Sequence, residues 1–444
     1  MTAQASAASL EAAPVYHPRR WLAAVVMMVA ALMDMIDLTI VNVALPTIRR
    51  DLGASGTQLE WVVSAYMLAF AAILITAGSF GDLLGRKHVF LVGVAVFGAA
   101  SLVAGLAHTP GELIAARVAQ GAAAAALLPQ VLGTFRAIFA GKERGQVFGL
   151  YGAILGFGSA IGLLLGGVLT QADLFGWSWR SIFFVNVPVA LFSLVAAARL
   201  VPETRERSAG RPDLLGATLL AAALVAVVYP LLEGRQLGWP AWGWLLLTGG
   251  LVTLAVLGLV EERRQRPQFA PLLRTRLFRI PAFTAGLTVQ LAFSAGLQGL
   301  FLILALWLQT GQHYSPLRAG LTTVAFSVGS FIAAPVAVPL AVHYGRLVLA
   351  SGALLLTLGT GGIVLGAPHV GTGTNPWPIV PGLVVAGVGL ALLIIPLANV
   401  VLAAVPAQAA GGASGLLSTV QQLGGAIGVA AIGTAFFGWR ESLA

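Results

Sequence analysis

The chain has no cysteine, which excludes disulfides, Cys-ligated zinc and iron–sulfur clusters. Charge is nearly as scarce: 9% of its 444 residues are Asp, Glu, Lys or Arg, against about 25% in soluble proteins. A surface so poor in charge does not suit water. The six histidines (His17, His88, His108, His313, His343, His369) are dispersed, and no G-x-S-x-G or H-E-x-x-H pattern occurs. Hydrolase and metalloprotease chemistry therefore has no visible residues to work with, no metal site is expected, and a membrane enzyme is disfavoured. Without a G-x-x-x-x-G-K-[ST] loop, an ATP-driven pump is disfavoured too.

What the chain has is apolar length. Hydrophobic residues make up 58% and the mean hydropathy is +0.91, the composition of a polytopic membrane protein. After a polar tail (1–20), Trp21 opens a run with no A-x-A-like cleavage site, which reads as an uncleaved first span. Runs of about 20 apolar residues follow thirteen times, from Trp21–Leu45 to Gly412–Phe437. If the N-terminus is cytoplasmic, inside segments hold eighteen of the 25 Lys and Arg, outside segments hold six, and Arg117 lies within the fourth span. That bias orients the chain N-terminus inside. The formal charge of +9 then reflects topology and attraction to anionic lipid rather than nucleic acid.

The spans divide into an N-terminal set (21–200), two spans almost devoid of polar groups (201–260, read as lipid-facing linkers), a basic loop (261–280) and a C-terminal set (281–444). Fourteen of the sixteen acids fall in loops, tails or span ends, Glu60 among them. Asp34 and Asp37 do not. A charge at the bilayer centre costs at least roughly 2.5–3.5 kcal/mol, and such residues are functional by default. Spaced i, i+3, the two share one helix face. Such a pair can take up a proton, release it, or attract a cationic substrate. Arg117 is the only deep cation and their electrostatic counterpart; the bland reading is a buried structural ion pair.

The loop GSFGDLLGRKHVFLVG resembles the G-x-L-x-D-R-x-G-R-K signature of the major facilitator superfamily, with Gly78, Asp82, Gly85, Arg86 and Lys87 in place. Phe80 and Leu83 depart from it. LIAARVAQGAAAA resembles the R-x-x-Q-G pattern (Arg117, Gln120, Gly121), and GFGSAIGLLLGG the antiporter-type G-P-x-x-G-G element, with Leu163 in place of proline. MDMIDLTIVNVALP, WSWRSIFFVNVP, YSPLRAGL and AGGASGLLSTVQQLGG look like the fourteen-span drug:proton antiporter branch, the EmrB/QacA type. The resemblance implies an all-α integral membrane protein of major facilitator fold: two six-helix-type halves with two extra spans between them. It also implies a further span beyond the thirteen. Either the natural chain continues or this variant lacks a peripheral helix, and an odd count puts Ala444 outside.

On that resemblance the expected activity is export of hydrophobic, including cationic, compounds in exchange for protons by alternating access. The alternative is one endogenous metabolite or lipid without strict proton coupling. Asp37 matches the branch's first-span motif and Asp34 is extra; with Arg117 they form the expected proton-coupling group. Asp82, Arg86, Lys87 and Glu143, with Gly78 and Gly85, form the expected latch, in which Arg86 meets Glu143 and Asp82 caps the last span near Gly412. Gly158, Gly162, Gly166 and Gly167 are expected packing and gating positions. Asn42, Tyr66, Gln120, Tyr151, Gln290, Gln298, Gln309, Asn399, Gln421 and Gln422 are polar positions on apolar spans, expected at the cavity wall. No cofactor is expected; the partners are small hydrophobic molecules, protons and lipid, the chain a monomer in a bacterial cytoplasmic membrane.

The Cys-free background makes orientation measurable. Cysteines placed at Arg86 and Arg264 should escape a membrane-impermeant thiol reagent in intact cells. Labelling at 264 would reverse the orientation.

Overall fold

The structure is a computed structural model describing residues 18–205, 213–234, 236–263, 275–372, 375–403, 405 and 410–442. Most of the 1–20 tail, Arg207, Arg211, Arg235, residues 264–274, the Asn399 side chain and Ala444 lie outside the described residues. The helices are α1 (Arg20–Leu52), α2 (Gly56–Leu84), α3 (Arg86–Gly105), α4 (Pro110–Ile138), α5 (Gly141–Ala172), the short α6 (Ser181–Phe184) leading into α7 (Asn186–Leu200), α8 (Leu214–Glu233), α9 (Ala241–Arg263), α10 (Pro281–Leu306), α11 (Pro316–Tyr344), α12 (Arg346–Gly366), α13 (Val380–Ala403) and α14 (Ala410–Ser442).

Helix starts follow local chemistry. Ser55 and Gln58 exchange hydrogen bonds in a capping box, Thr109 caps α4 ahead of Pro110, Ser315 caps α11 ahead of Pro316, and Asp213 caps α8. Twelve helices among the described residues are long and apolar enough to cross a membrane. The remaining expected span is α5, an unbroken helix whose described apolar stretch is Ile161–Ala172. The chain is a multi-pass membrane protein.

The helices from α1 to α7 pack together, and those from α10 to α14 form a second group. Between the groups, α2 meets α14 and α5 meets α11. These contacts gather on one side, the face opposite the start of α1. There Gln309 Nε2 donates to Val43 O (2.7 Å) and Leu317 N to Gln171 Oε1 (3.3 Å). A Cβ on Gly167 would sit 2.7 Å from Pro316 O and 2.8 Å from Leu317 Cα. Toward the other face, a Cβ on Gly145, Gly149 or Gly152 of α5 or on Gly415 of α14 would meet none of the described residues outside its own helix within 4 Å.

Two expectations change. The inserted pair is not uniformly lipid-facing: α9 exposes Leu245, Leu251, Val252 and Leu259, but α8 buries Leu220, Ala223, Leu224, Val228 and Leu232. It packs on both α2 and α14 because Trp61 Nε1 donates to Glu233 (2.8 Å), Gln236 Nε2 to Thr57 (2.6 Å) and Thr434 Oγ1 to Leu231 O (3.3 Å). Glu60, placed at a span end, is 1% exposed, since α14 brings Gly433 against its carboxyl group.

Overpacking a close helix contact costs about 1–3 kcal/mol, enough to redistribute two conformations. Gly167→Val should therefore part the two helix groups on the face opposite the start of α1. Spin labels on the exposed Val168 and Leu321 positions should report a longer distance population. An unchanged distribution would show that this approach does not hold the face closed.

Candidate functional site

The R-x-x-Q-G stretch explains itself once α1 and α4 are side by side. Asp37 is fully buried, and Arg117, 1% exposed, pairs with it through Nη1 and Oδ2. Gln120, one turn along α4, accepts from Arg117 Nη1 (2.9 Å) and donates Nε2 to Asp37 Oδ1 (3.0 Å). Gly121 completes the motif: a Cβ there would sit 2.1 Å from Tyr66 O, so glycine is what lets α4 close on α2. Arg117 Nε donates to Val62 O (3.1 Å), and its guanidinium lies 4.4 Å from the Tyr66 ring centroid.

Asp34 is 4% exposed and accepts a short hydrogen bond from the Tyr66 hydroxyl. The cluster thus holds two carboxyl groups and one guanidinium, a pairing that burial demands. Two members were not anticipated. Asn186 Nδ2 donates to Asp37 Oδ1 (2.7 Å), and Ser101 Oγ accepts from Gln120 Nε2 (2.8 Å). Asn186 sat within WSWRSIFFVNVP, a polar residue in an apolar stretch and therefore findable. Ser101 carries no signal of its own.

The small-residue stripe of α5 runs along α1 beside these acids. Gly158 faces Leu32 and Met35, Gly162 faces Ile36 and Thr39, and Gly166 faces Ile40 and Val43, while Gly167 turns toward α11. Leu163 is buried, with its carbonyl against Gly320 of α11.

The turn between α2 and α3 differs from expectation. Arg86 donates to Asp82 (Nη2, 2.7 Å) and to Gly133 O (3.1 Å), whereas Glu143 pairs with Arg20 at 2.8 Å. Among the described residues the anticipated state-dependent Arg86–Glu143 pair is not made in this conformation: Asp82 lies one turn before Arg86, α4 offers a carbonyl beside it, and Glu143 is taken by Arg20. Residues 406–409, just before the α14 start where Asp82 was expected to act as a cap, lie outside the described residues. Gly85 takes φ +103°, a glycine conformation, and Glu203 occupies the space its Cβ would need. Glu203 reaches His88 Nδ1 (2.5 Å), Lys87 Nζ donates to Ala198 O (2.7 Å), and Arg86 N to Thr204 O (3.1 Å). Gly78 lies against Pro129 of α4. Leu83, where the signature has its first Arg, is 45% exposed.

The expected cavity residues separate. Tyr66 and Gln120 belong to the acid cluster rather than a wall, and Tyr151 is buried edge-on against Phe135. Asn42 bonds back to its own helix, Gln290 is buried and donates to Ser294 (2.9 Å), and Gln298 lies against Met67 Sδ (3.7 Å). Gln421 is exposed and Gln422 half-buried on α14.

Removing one partner of a buried ion pair costs about 3–5 kcal/mol, because the other charge is stranded. Arg117→Met should lower thermal stability accordingly, and adding Asp37→Asn should restore part of it. Additive losses in a double-mutant cycle would disprove the direct pairing.

With this geometry in hand, resemblance to known proteins becomes specific. The chain is 40% identical over 437 residues to a probable actinorhodin transporter of Streptomyces coelicolor, covering 98% of this chain and 75% of that one. It is 38% identical over 433 residues to a puromycin resistance protein of Streptomyces alboniger, covering 94% and 82%. Among solved structures, a bacterial homologue of the human lysosomal transporter Spinster, inward-facing and unoccupied, superposes with TM-score 0.66 at 18% identity over 96% of this chain and 85% of that one. The match to the Major Facilitator Superfamily runs over residues 27–429, and the chain belongs to that superfamily as a transport protein of its antibiotic- and drug-exporting branch, not an enzyme.

Proposed function

We propose that this protein exports hydrophobic compounds, cationic ones included, in exchange for protons by alternating access. It does so as a monomer in a bacterial cytoplasmic membrane, with its N-terminus inside and without a cofactor. The carrying observation is the Asp34–Asp37–Arg117–Tyr66 cluster, ionisable groups kept at cost within apolar helices. Its neighbours support the reading: glycine-lined contacts between α1 and α5 and between α5 and α11 permit helices to slide. Helix groups joined on one face and open toward the other suit a rocking motion about a central site.

Export of antibiotic-like molecules rests on the relatives, one described as an actinorhodin transporter and another as a puromycin resistance protein. The first description also favours a narrower reading, export of a single compound. Lys87, Asp82 and Arg86 serve, on this proposal, as contacts that re-form on the N-terminal face when that face closes.

Proteoliposomes holding the purified protein, an imposed proton gradient and a panel of hydrophobic dyes and antibiotics test both readings. Uphill movement of several compounds, collapsing when the gradient is dissipated, is the expected result. Flux of one compound unaffected by the gradient would replace the proton-driven, broad reading with the narrower one.

A further inference from the structure

The two acids of α1 stand in unlike surroundings. Asp37 is engaged at both oxygens, by Arg117 at Oδ2 and by Gln120 Nε2 (3.0 Å) and Asn186 Nδ2 (2.7 Å) at Oδ1. Guanidinium and amide N–H groups only donate. A proton on Asp37 would meet donors and strand Arg117. Asp34 instead accepts from the Tyr66 hydroxyl, a group that donates or accepts. That contact therefore survives whether Asp34 is ionised or neutral.

Tyr66 also touches the other site, since Arg117 lies over its ring. Among the described residues, the charged and titratable groups facing Asp34 are Tyr66 of α2, Arg117 of α4, Tyr151 of α5 and Asp37 of its own helix. Two acids against one guanidinium leave one negative charge in surplus when both are ionised. A proton on Asp34 cancels that surplus without disturbing the Asp37–Arg117 pair.

We propose that Asp34, the acid outside the first-span motif, gains and loses the exchanged proton, while Asp37 stays ionised as the fixed partner of Arg117 and Tyr66 positions both. This rests on the proton-exchange reading above. In the forward step one proton from water adds to the Asp34 carboxylate, giving a neutral carboxylic acid. In the reverse step the same proton returns to water on the other side of the membrane. Asp37 in turn is a structural anion, and the motif match pointed to the residue that holds the site rather than the one that titrates.

Infrared difference spectroscopy across a pH titration, on the full chain in lipid nanodiscs, tests this without any substrate. The native protein should show a protonated-carboxyl band that Asp34→Asn removes. The band should remain in Asp37→Asn/Arg117→Met, which deletes both charges of the pair and so avoids a stranded ion. Tyr66→Phe keeps the ring under Arg117 and should shift the band's frequency and midpoint. A band lost from the Asp37→Asn/Arg117→Met variant but kept in Asp34→Asn overturns the assignment, as does a native spectrum without one. Ethidium flux in proteoliposomes separates the two levels. With the assignment right, Asp34→Asn loses gradient-driven accumulation and keeps downhill flux. Gradient-independent ethidium flux by native protein, with the infrared band present, defeats the antiport reading and leaves the assignment of the titrating acid standing.

Discussion

A charge inside a membrane must be answered by another charge or a dense set of hydrogen bonds, and Asp37 is answered by both. Arg117 reaches it from α4, Gln120 from the same helix one turn on, and Asn186 from α7, while Ser101 of α3 holds Gln120. Four helices are thereby fixed in rotation about their axes, because turning any of them would withdraw a buried partner. Tyr66 brings in α2 through the guanidinium over its ring. Apolar packing alone, between surfaces as oily as the lipid, would not specify those rotations.

Around this polar centre, close approach is achieved by removing side chains. Gly121 admits α2, Gly158, Gly162 and Gly166 admit α1, and Gly424 and Gly428 admit the α10 backbone at Leu291 and Ala295. The same device at Gly167 and Gly320 joins α5 of one helix group to α11 of the other. A contact made from backbone and glycine has little side-chain interdigitation to undo, which suits an interface that opens and closes. The inserted α8 sits on the other contact between the groups, α2 against α14: its Glu233 accepts from Trp61, its Leu231 carbonyl accepts from Thr434, and Gln236 just beyond it donates to Thr57. It is a third party to the contact between the groups.

At the other face, the α2–α3 turn is strapped by residues 203–205 as much as by its own signature. Glu203 sits over Gly85, and Arg205 donates to Leu84 O (2.9 Å). The segment leading to the inserted pair is therefore tied to the α2–α3 turn through short polar contacts.

Local chemistry in the sequence was enough for the helices and their order, since apolar length acts within a few residues. It was enough also to single out Asp34, Asp37 and Arg117, because a charge in an apolar run is conspicuous. Partner choice was a different matter. Arg86 met Asp82 instead of Glu143, Glu60 became buried, Gln120 and Tyr66 joined the acid cluster, and Asn186 and Ser101 entered it unannounced. Each of these depends on how helices far apart in the chain are rotated and how deeply they are set. That is decided by the packing of all helices at once, so only the tertiary structure could distinguish the acid held by three donors from the acid that shares a single hydroxyl.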